Sequence, residues 1–348
     1  MSKANRVVKV ALDAMGGDYA PEEIIKGAVL AAEKNNNDME VILVGSKDAL
    51  GTELKKYKNS HLPLHYIESE GFIGENESPV LALRRRPNAS IAVAFKMVKM
   101  GEADAVVGAG STGALVTSAI RAMGLVEGIE RPVIGGPFFG VAPNTILMDC
   151  GVNVDARPSH LLTFAVVGSI YAKKLLNIDD PKVALLNVGA EENKGNRLTR
   201  ETYQLLQKSG LNFIGNIEGN DVLSGRANVI VCDGFVGNIL IKFGEGGIEL
   251  IKGVLRDKVN SYPLLRLFKR PFKVLTSAMF GENGINPGIG DGLIWGVDGV
   301  ALKIHGASRA SDVAKRIVQA KLVVEMDVID SLKSELAAIR SQLKLGKE

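Results

Sequence analysis

Ala105-Val-Val-Gly-Ala-Gly-Ser-Thr-Gly-Ala-Leu-Val-Thr-Ser-Ala-Ile-Arg-Ala-Met123 runs from a short apolar segment through a glycine-rich turn into a longer apolar segment. Residues 105–107 are small or β-branched, which suits a buried strand. From Gly113 to Met123 the apolar residues return at helical spacing. A strand that passes through glycines straight into a helix is the repeating unit of a doubly wound α/β sheet.

The same alternation recurs on both sides of this stretch. Strands are expected at Val7–Leu12, Val41–Val44, Leu64–Ile67, Ala105–Val107, Thr145–Met148, Val183–Val188, Asn212–Ile214, Val229–Val231 and Val300–Ile304. Helices are expected at Glu22–Lys34, Ser90–Lys99, Gly113–Met123, Pro158–Leu176, Arg197–Lys208 and Asn238–Val259. Most of the strands are continuous apolar runs, the pattern of strands covered on both faces. The expected architecture is a three-layer α/β/α sandwich with a mainly parallel sheet, over a single two-lobed unit, 1–348. A C-terminal helix is expected over residues 312–345. No low-complexity linker or internal repeat divides the chain.

Composition narrows the function. With 42 Lys and Arg against 39 Asp and Glu, the net charge of +3 gives no basis for a nucleic-acid partner. The two cysteines, Cys150 and Cys232, each adjoin an aspartate at the end of an apolar run, and read as thiols in a reducing compartment. No signal peptide and no bilayer-spanning run is visible, so the chain is read as cytoplasmic. Acidic and histidine residues do not cluster at metal-ligand spacing, so neither a metal centre nor another cofactor is expected.

Polar residues or glycines follow most strands: Asp13, Gly45, Gly108, Asp149, Gly189, Asp233 and His305. In open α/β sheets the ligand crevice lies outside the strand carboxyl ends. Gly110, Ser111, Thr112 and Gly113 are therefore candidates for an anion cradle, because glycines admit the anion and a helix N-terminus presents free N–H groups. The hydroxyls suit a plain helix cap equally well. The spacing also matches the dinucleotide fingerprint G-x-G-x-x-G, but the acidic residue that should end the next strand is missing. Gly16 and Gly17, between the first strand and its helix, are further candidates for phosphate binding. Asp13 stands among Asp18, Glu22 and Glu23, which would repel a bare anion, and is expected to orient rather than touch it. Asn187, Asp233, Asn238 and His305 complete the catalytic candidates. No nucleophile elbow is present.

Two basic segments point to partners. Arg84-Arg85-Arg86 ends a helix-like run and would suit an acidic carrier protein or simply a solvated helix end. In Pro263–Phe280, Leu264, Leu265, Leu267 and Phe268 share one side, with Arg266, Lys269 and Arg270 opposite. After Pro271, Phe272, Val274, Leu275, Ala278 and Met279 face away from Lys273. Residues 258–281 hold five basic residues and no acidic one, so this amphipathic hairpin is expected at an anionic membrane surface, with a core or dimer seam as the alternative.

ALDAMGGDYAP, GAGSTGALVTSAIRAMG, MDCGVNVDARPSHLLTFAVVGSIYA, NVGAEENKGN, FIGNIEGNDVLSGRANVIVCDGFVGN and LKIHGAS, in that order, resemble the PlsX family of acyl-carrier-protein:phosphate acyltransferases. The resemblance runs from about residue 7 to residue 320. It implies a fold related to phosphotransacetylases and isocitrate-type dehydrogenases, usually a homodimer. It also implies that orthophosphate and an acyl thioester on acyl carrier protein yield an acyl phosphate. That product would pass to a membrane glycerol-3-phosphate acyltransferase in phospholipid synthesis, and a membrane-touching hairpin would fall on Pro263–Phe280. The chain departs from the family pattern at Ser111, at Pro87 and over Gly288–Gly296. An NAD(P)-dependent dehydrogenase, a coenzyme A-dependent phosphotransacetylase and a non-enzymatic membrane scaffold are the rival readings.

Overall fold

The computed structural model describes residues 6–35, 38–57, 62–138, 142–261 and 292–343. The chain divides into two compact units, one built from residues up to Pro132 together with Gly292–Glu335, the other from Val133–Asp291 and the C-terminal end.

In the first unit the strands are β1 (Val8–Asp13), β2 (Met39–Gly45), β3 (Leu64–Glu68), β4 (Ala105–Gly108), β10 (Leu293–Trp295) and β11 (Val300–Lys303). They lie in the order β3-β2-β1-β4-β11-β10, parallel except for β10 against β11. The helices are α1 (Glu22–Lys34), α2 (Lys47–Leu54), α3 (Pro79–Arg85), α4 (Ser90–Met100), α5 (Thr112–Met123) and α9 (Ala310–Glu325). Helices α1 and α9 pack together, as do α4 and α5, and both pairs supply helices that cover the central strands. This double cover is why β4 is buried along its whole length. The chain runs β1 to β2 to β3 in one direction, then returns to place β4 on the other side of β1. That reversal makes a topological switch point between β1 and β4, where such sheets bind ligands.

In the second unit β5 (Val133–Phe138), β6 (Ala142–Met148), β7 (Val183–Leu186), β8 (Phe213–Ile217) and β9 (Val229–Val231) lie in the order β5-β6-β9-β7-β8. Only β5 against β6 is antiparallel among these pairs. Helices α6 (Pro158–Leu175), α7 (Arg197–Gln207) and α8 (Gly234–Ser261) follow β6, β7 and β9. Here the switch point falls between β7 and β9.

The C-terminal stretch expected as one helix is two. Asp327 takes a positive φ of 50°, which breaks the helical path between α9 and α10 (Val328–Leu343). Strands β5 and β10 and helix α2 were not foreseen. The strands are short or contain Gly-Gly-Pro, and α2 has one buried residue, so neither gives a clear period. Among the described residues no helix is long and apolar enough to cross a membrane.

Candidate active site

Three parallel strands of the first unit end side by side. Asp13 of β1 is in register with Gly108 of β4, and Gly108 is in register with Lys303 of β11. The turns leaving these strands form the rim at the switch point.

Asp13 is 3% exposed, and its carboxylate accepts the Met15 N–H at 3.1 Å. Burial raises its pKa above the ordinary value of 3.8, against the Met15 hydrogen bond that pulls it down. Asp13 thus ties its own turn. The Asp18 N–H donates to the Gly306 carbonyl at 2.9 Å. Gly16 and Gly17 let two turns interlock. A Cβ on Gly16 would stand 2.7 Å from the Gly110 nitrogen, and Gly17, at φ +105°, lies against Ala109.

The loop so braced is residues 108–113. Ser111 is the N-cap of α5, its Oγ accepting the Ala114 N–H at 3.2 Å. The capping alternative is therefore what its hydroxyl does. Thr112 opens the helix half-buried, and its hydroxyl makes no hydrogen bond among the described residues. The N–H groups of Gly110, Ser111, Thr112 and Gly113 likewise find no acceptor among the described residues. Those of Ser111, Thr112 and Gly113 are orphan donors of a helix N-terminus, where the dipole favours negative charge. Gly113 has a packing reason of its own, since a Cβ there would meet Pro79 Cγ at 2.8 Å.

The third turn follows β11. His305 is exposed, and its carbonyl accepts the Ser308 N–H at 3.0 Å. The turn docks on the first one through Gly306 and through the Arg309 guanidinium, 3.5 Å above the Tyr19 ring. Sequence reasoning placed β11 one residue too far and so passed over Lys303, whose Nζ donates to the Gly110 carbonyl at 3.4 Å and the Ile304 carbonyl at 3.1 Å. A lysine ending the apolar run Val-Ala-Leu was the signal.

The second unit has its own rim. Asp149, at 0% exposure, accepts N–H groups of Gly151 (3.0 Å), Val152 (3.1 Å) and Asn153 (2.7 Å), and the Asn153 amide at 2.7 Å. This clamp was not foreseen beyond the position of Asp149 after a strand. Asn187 is largely occupied: its Nδ2 donates to the Lys194 carbonyl at 3.2 Å and its Oδ1 accepts the Val188 N–H at 2.9 Å. Asp233 accepts the Val236 N–H at 2.9 Å and so caps α8. Asn238 is exposed one turn into α8, beside Gly151. Cys232 is buried, and burial together with Asp149 and Asp233 holds its pKa well above 9.0, so its thiol is a poor nucleophile.

Arg84 and Arg85 are exposed at the end of α3, but Arg86 is not available in the same way: it binds Glu77 and the Phe72 carbonyl. Arg84 and Arg121 edge a pocket floored by Val80, Leu83 and Thr117. The hairpin Pro263–Phe280, with Leu264, Leu267, Phe268, Lys269, Arg270, Phe272, Lys273 and Leu275, lies outside the described residues.

Residues 8–331 match the family model described as fatty acid synthesis protein. A protein from Thermoanaerobacterium thermosaccharolyticum named phosphate acyltransferase is 39% identical over 345 residues, covering 98% of this chain and all of the relative. A second of that name, from Pelotomaculum thermopropionicum, is 41% identical over 95% of this chain and 96% of its own length. Among solved structures, a phosphotransacetylase from Streptococcus pyogenes superposes with a TM-score of 0.60 at 17% identity, covering 93% of this chain and 94% of that one. A 4-hydroxythreonine-4-phosphate dehydrogenase from Klebsiella pneumoniae does so with a TM-score of 0.53 at 13% identity, over 92% of this chain and the whole of that one. These likenesses are of fold.

Proposed function

Because the chain belongs to the PlsX family of phosphate acyltransferases, transferases of fatty acid and phospholipid synthesis, we propose that it makes acyl phosphate from orthophosphate and an acyl thioester on acyl carrier protein. The observation that carries this reading is the row of unpaired N–H groups from Gly110 to Gly113 at the β1/β4 switch point. Phosphate is anionic at neutral pH and needs no strong base. The site has to strip it of water, hold it, and aim one oxygen at the thioester carbonyl.

Attack is direct in this scheme. The phosphate oxygen forms a bond to the carbonyl carbon, the carbonyl becomes a tetrahedral oxyanion, and the C–S bond then breaks as the thiolate leaves with the electron pair. An acyl-enzyme is not invoked, because the one buried cysteine is held protonated. Of the side chains named as catalytic from the sequence, Asn187 and Asp233 are tied to their own turns, and Asn238 is exposed. His305 is the candidate to assist thiolate departure. Incubating the protein with an acyl carrier thioester and labelled phosphate should give labelled acyl phosphate. If coenzyme A thioesters serve and carrier thioesters do not, the donor assignment is wrong.

Thr112→Ala is expected to raise the KM for phosphate about tenfold while leaving that for the acyl donor near its original value. A change confined to the acyl donor would remove Thr112 from the cradle.

Arg84 and Arg85 carry the proposed docking of the acidic carrier, with Arg86 now bracing the 72–77 loop. The basic hairpin carries the proposed contact with anionic lipid, close to the glycerol-3-phosphate acyltransferase that would receive the product, in a homodimer. In a sedimentation assay, the protein should pellet with anionic vesicles and not with neutral ones, and Leu267→Glu should abolish this. Binding that survives the substitution argues for a hairpin packed on protein.

A further inference from the structure

We propose that Lys303 is a positioning residue for the phosphate cradle, an inference that rests on the reading of residues 110–113 given above. Lys303 closes β11 in register with Gly108 and reaches across to the next turn, where its Nζ donates to the Gly110 carbonyl at 3.4 Å and to the Ile304 carbonyl at 3.1 Å. Its own backbone is held as well, the N–H donating to the Gly292 carbonyl at 2.8 Å.

The peptide unit is planar and trans, so the Gly110 C=O and the Ser111 N–H point in opposite directions. An ammonium on that carbonyl fixes the whole peptide plane and turns the Ser111 N–H away from β11. Ser111 is the N-cap of α5, so this N–H is the donor that leads into the free N–H groups of Thr112 and Gly113. Beside a glycine such a peptide has little intrinsic preference, and the loop needs an outside anchor to keep its donors aligned. The ammonium also adds a full positive charge behind a helix N-terminus that carries only a partial one. Lys303 therefore acts through Gly110 and not by touching the substrate.

The test compares Lys303→Met and Lys303→Arg with the unmodified enzyme, varying inorganic phosphate and the acyl carrier thioester separately. Lys303→Met should raise the KM for phosphate about tenfold or more, with the acyl-donor KM within about twofold, and Lys303→Arg should recover most of the loss. Inorganic phosphate alone should raise the melting temperature of the unmodified protein and of Lys303→Arg, but not of Lys303→Met. The proposal is overturned if the phosphate KM is unchanged in Lys303→Met. It is equally overturned if both constants rise together without recovery in Lys303→Arg, or if Lys303→Met fails to fold, since either marks a strut of β11. Thr112→Ala is measured in parallel. If it raises the phosphate KM and Lys303→Met does not, the cradle stands and Lys303 has no part in it. If neither variant raises it, the cradle reading fails as well.

Discussion

Gly16→Ala is expected to lower kcat/KM for phosphate by about two orders of magnitude. The added methyl would sit 2.7 Å from the Gly110 nitrogen and 3.0 Å from both the Gly110 Cα and an Asp13 oxygen. Two of these atoms are backbone, which cannot swing aside as a side chain would. The Gly110 loop has to move by a good fraction of an ångström, and misplacement on that scale costs about 10²-fold in rate. The overpacking itself should cost about 2 kcal/mol, read as a melting temperature lower by roughly 4–8 °C. Gly110→Ala provides the contrast. A Cβ there has its nearest neighbour at 3.7 Å, an ordinary contact, so stability should hold and any loss of activity reports on the space for the anion. Equal effects of the two substitutions on stability would show that the interlocking of the turns has been misjudged.

The second large effect is one of stability. Asp149→Ala should destabilise the fold by about 3–5 kcal/mol, because three backbone N–H groups and the Asn153 amide lose a buried acceptor together. Asp149→Asn should fall between. Its oxygen can still accept from Gly151 and Val152, but its NH2 would face the two donors of Asn153. Urea unfolding followed by circular dichroism measures both. The pH dependence has a definite sign. Burial raises the native pKa of Asp149 above 3.8 despite the four hydrogen bonds, so the native state holds its proton more tightly than the unfolded chain. The contribution is complete below 3.8 and is lost as pH rises through the native value. The buried Asp13 has the same sign. Asp149→Asn should therefore reduce, without abolishing, the fall of the urea midpoint with rising pH. An Asp149→Ala midpoint equal to that of the unmodified chain would mean that water replaces the carboxylate.

Much of the molecule was readable in advance. The alternation of apolar runs located α1 at its observed limits and most other elements within a few residues, because elements buried on both faces or along one stripe must be written in apolar residues at a fixed period. The elements that escaped were those whose residues carry no such period: β5, with its Gly-Gly-Pro, β10 with three residues, and the amphipathically weak α2. The site was readable as a set of turns but not as a set of roles. Ser111 and Asp233 carry side chains that suit either capping or ligand binding, and a helix N-terminus wants the same oxygen atoms for both. Arg86 looked like its two neighbours in sequence and differs only because residues 72–77 fold back against it.

The order of residues along the chain was enough to set the strand–glycine–helix units, the parallel sheet they build, and the positions at strand ends where ligands gather, because these depend on local period and turn chemistry. Tertiary structure decided which hydrogen-bonding groups at those ends are already satisfied. Gly16 packs on Gly110, 94 positions away, and Lys303 binds the same loop from 193 positions away. Pairing of that kind follows from the strand order β1-β4-β11 and the register of Asp13, Gly108 and Lys303, and neither is encoded in any local stretch.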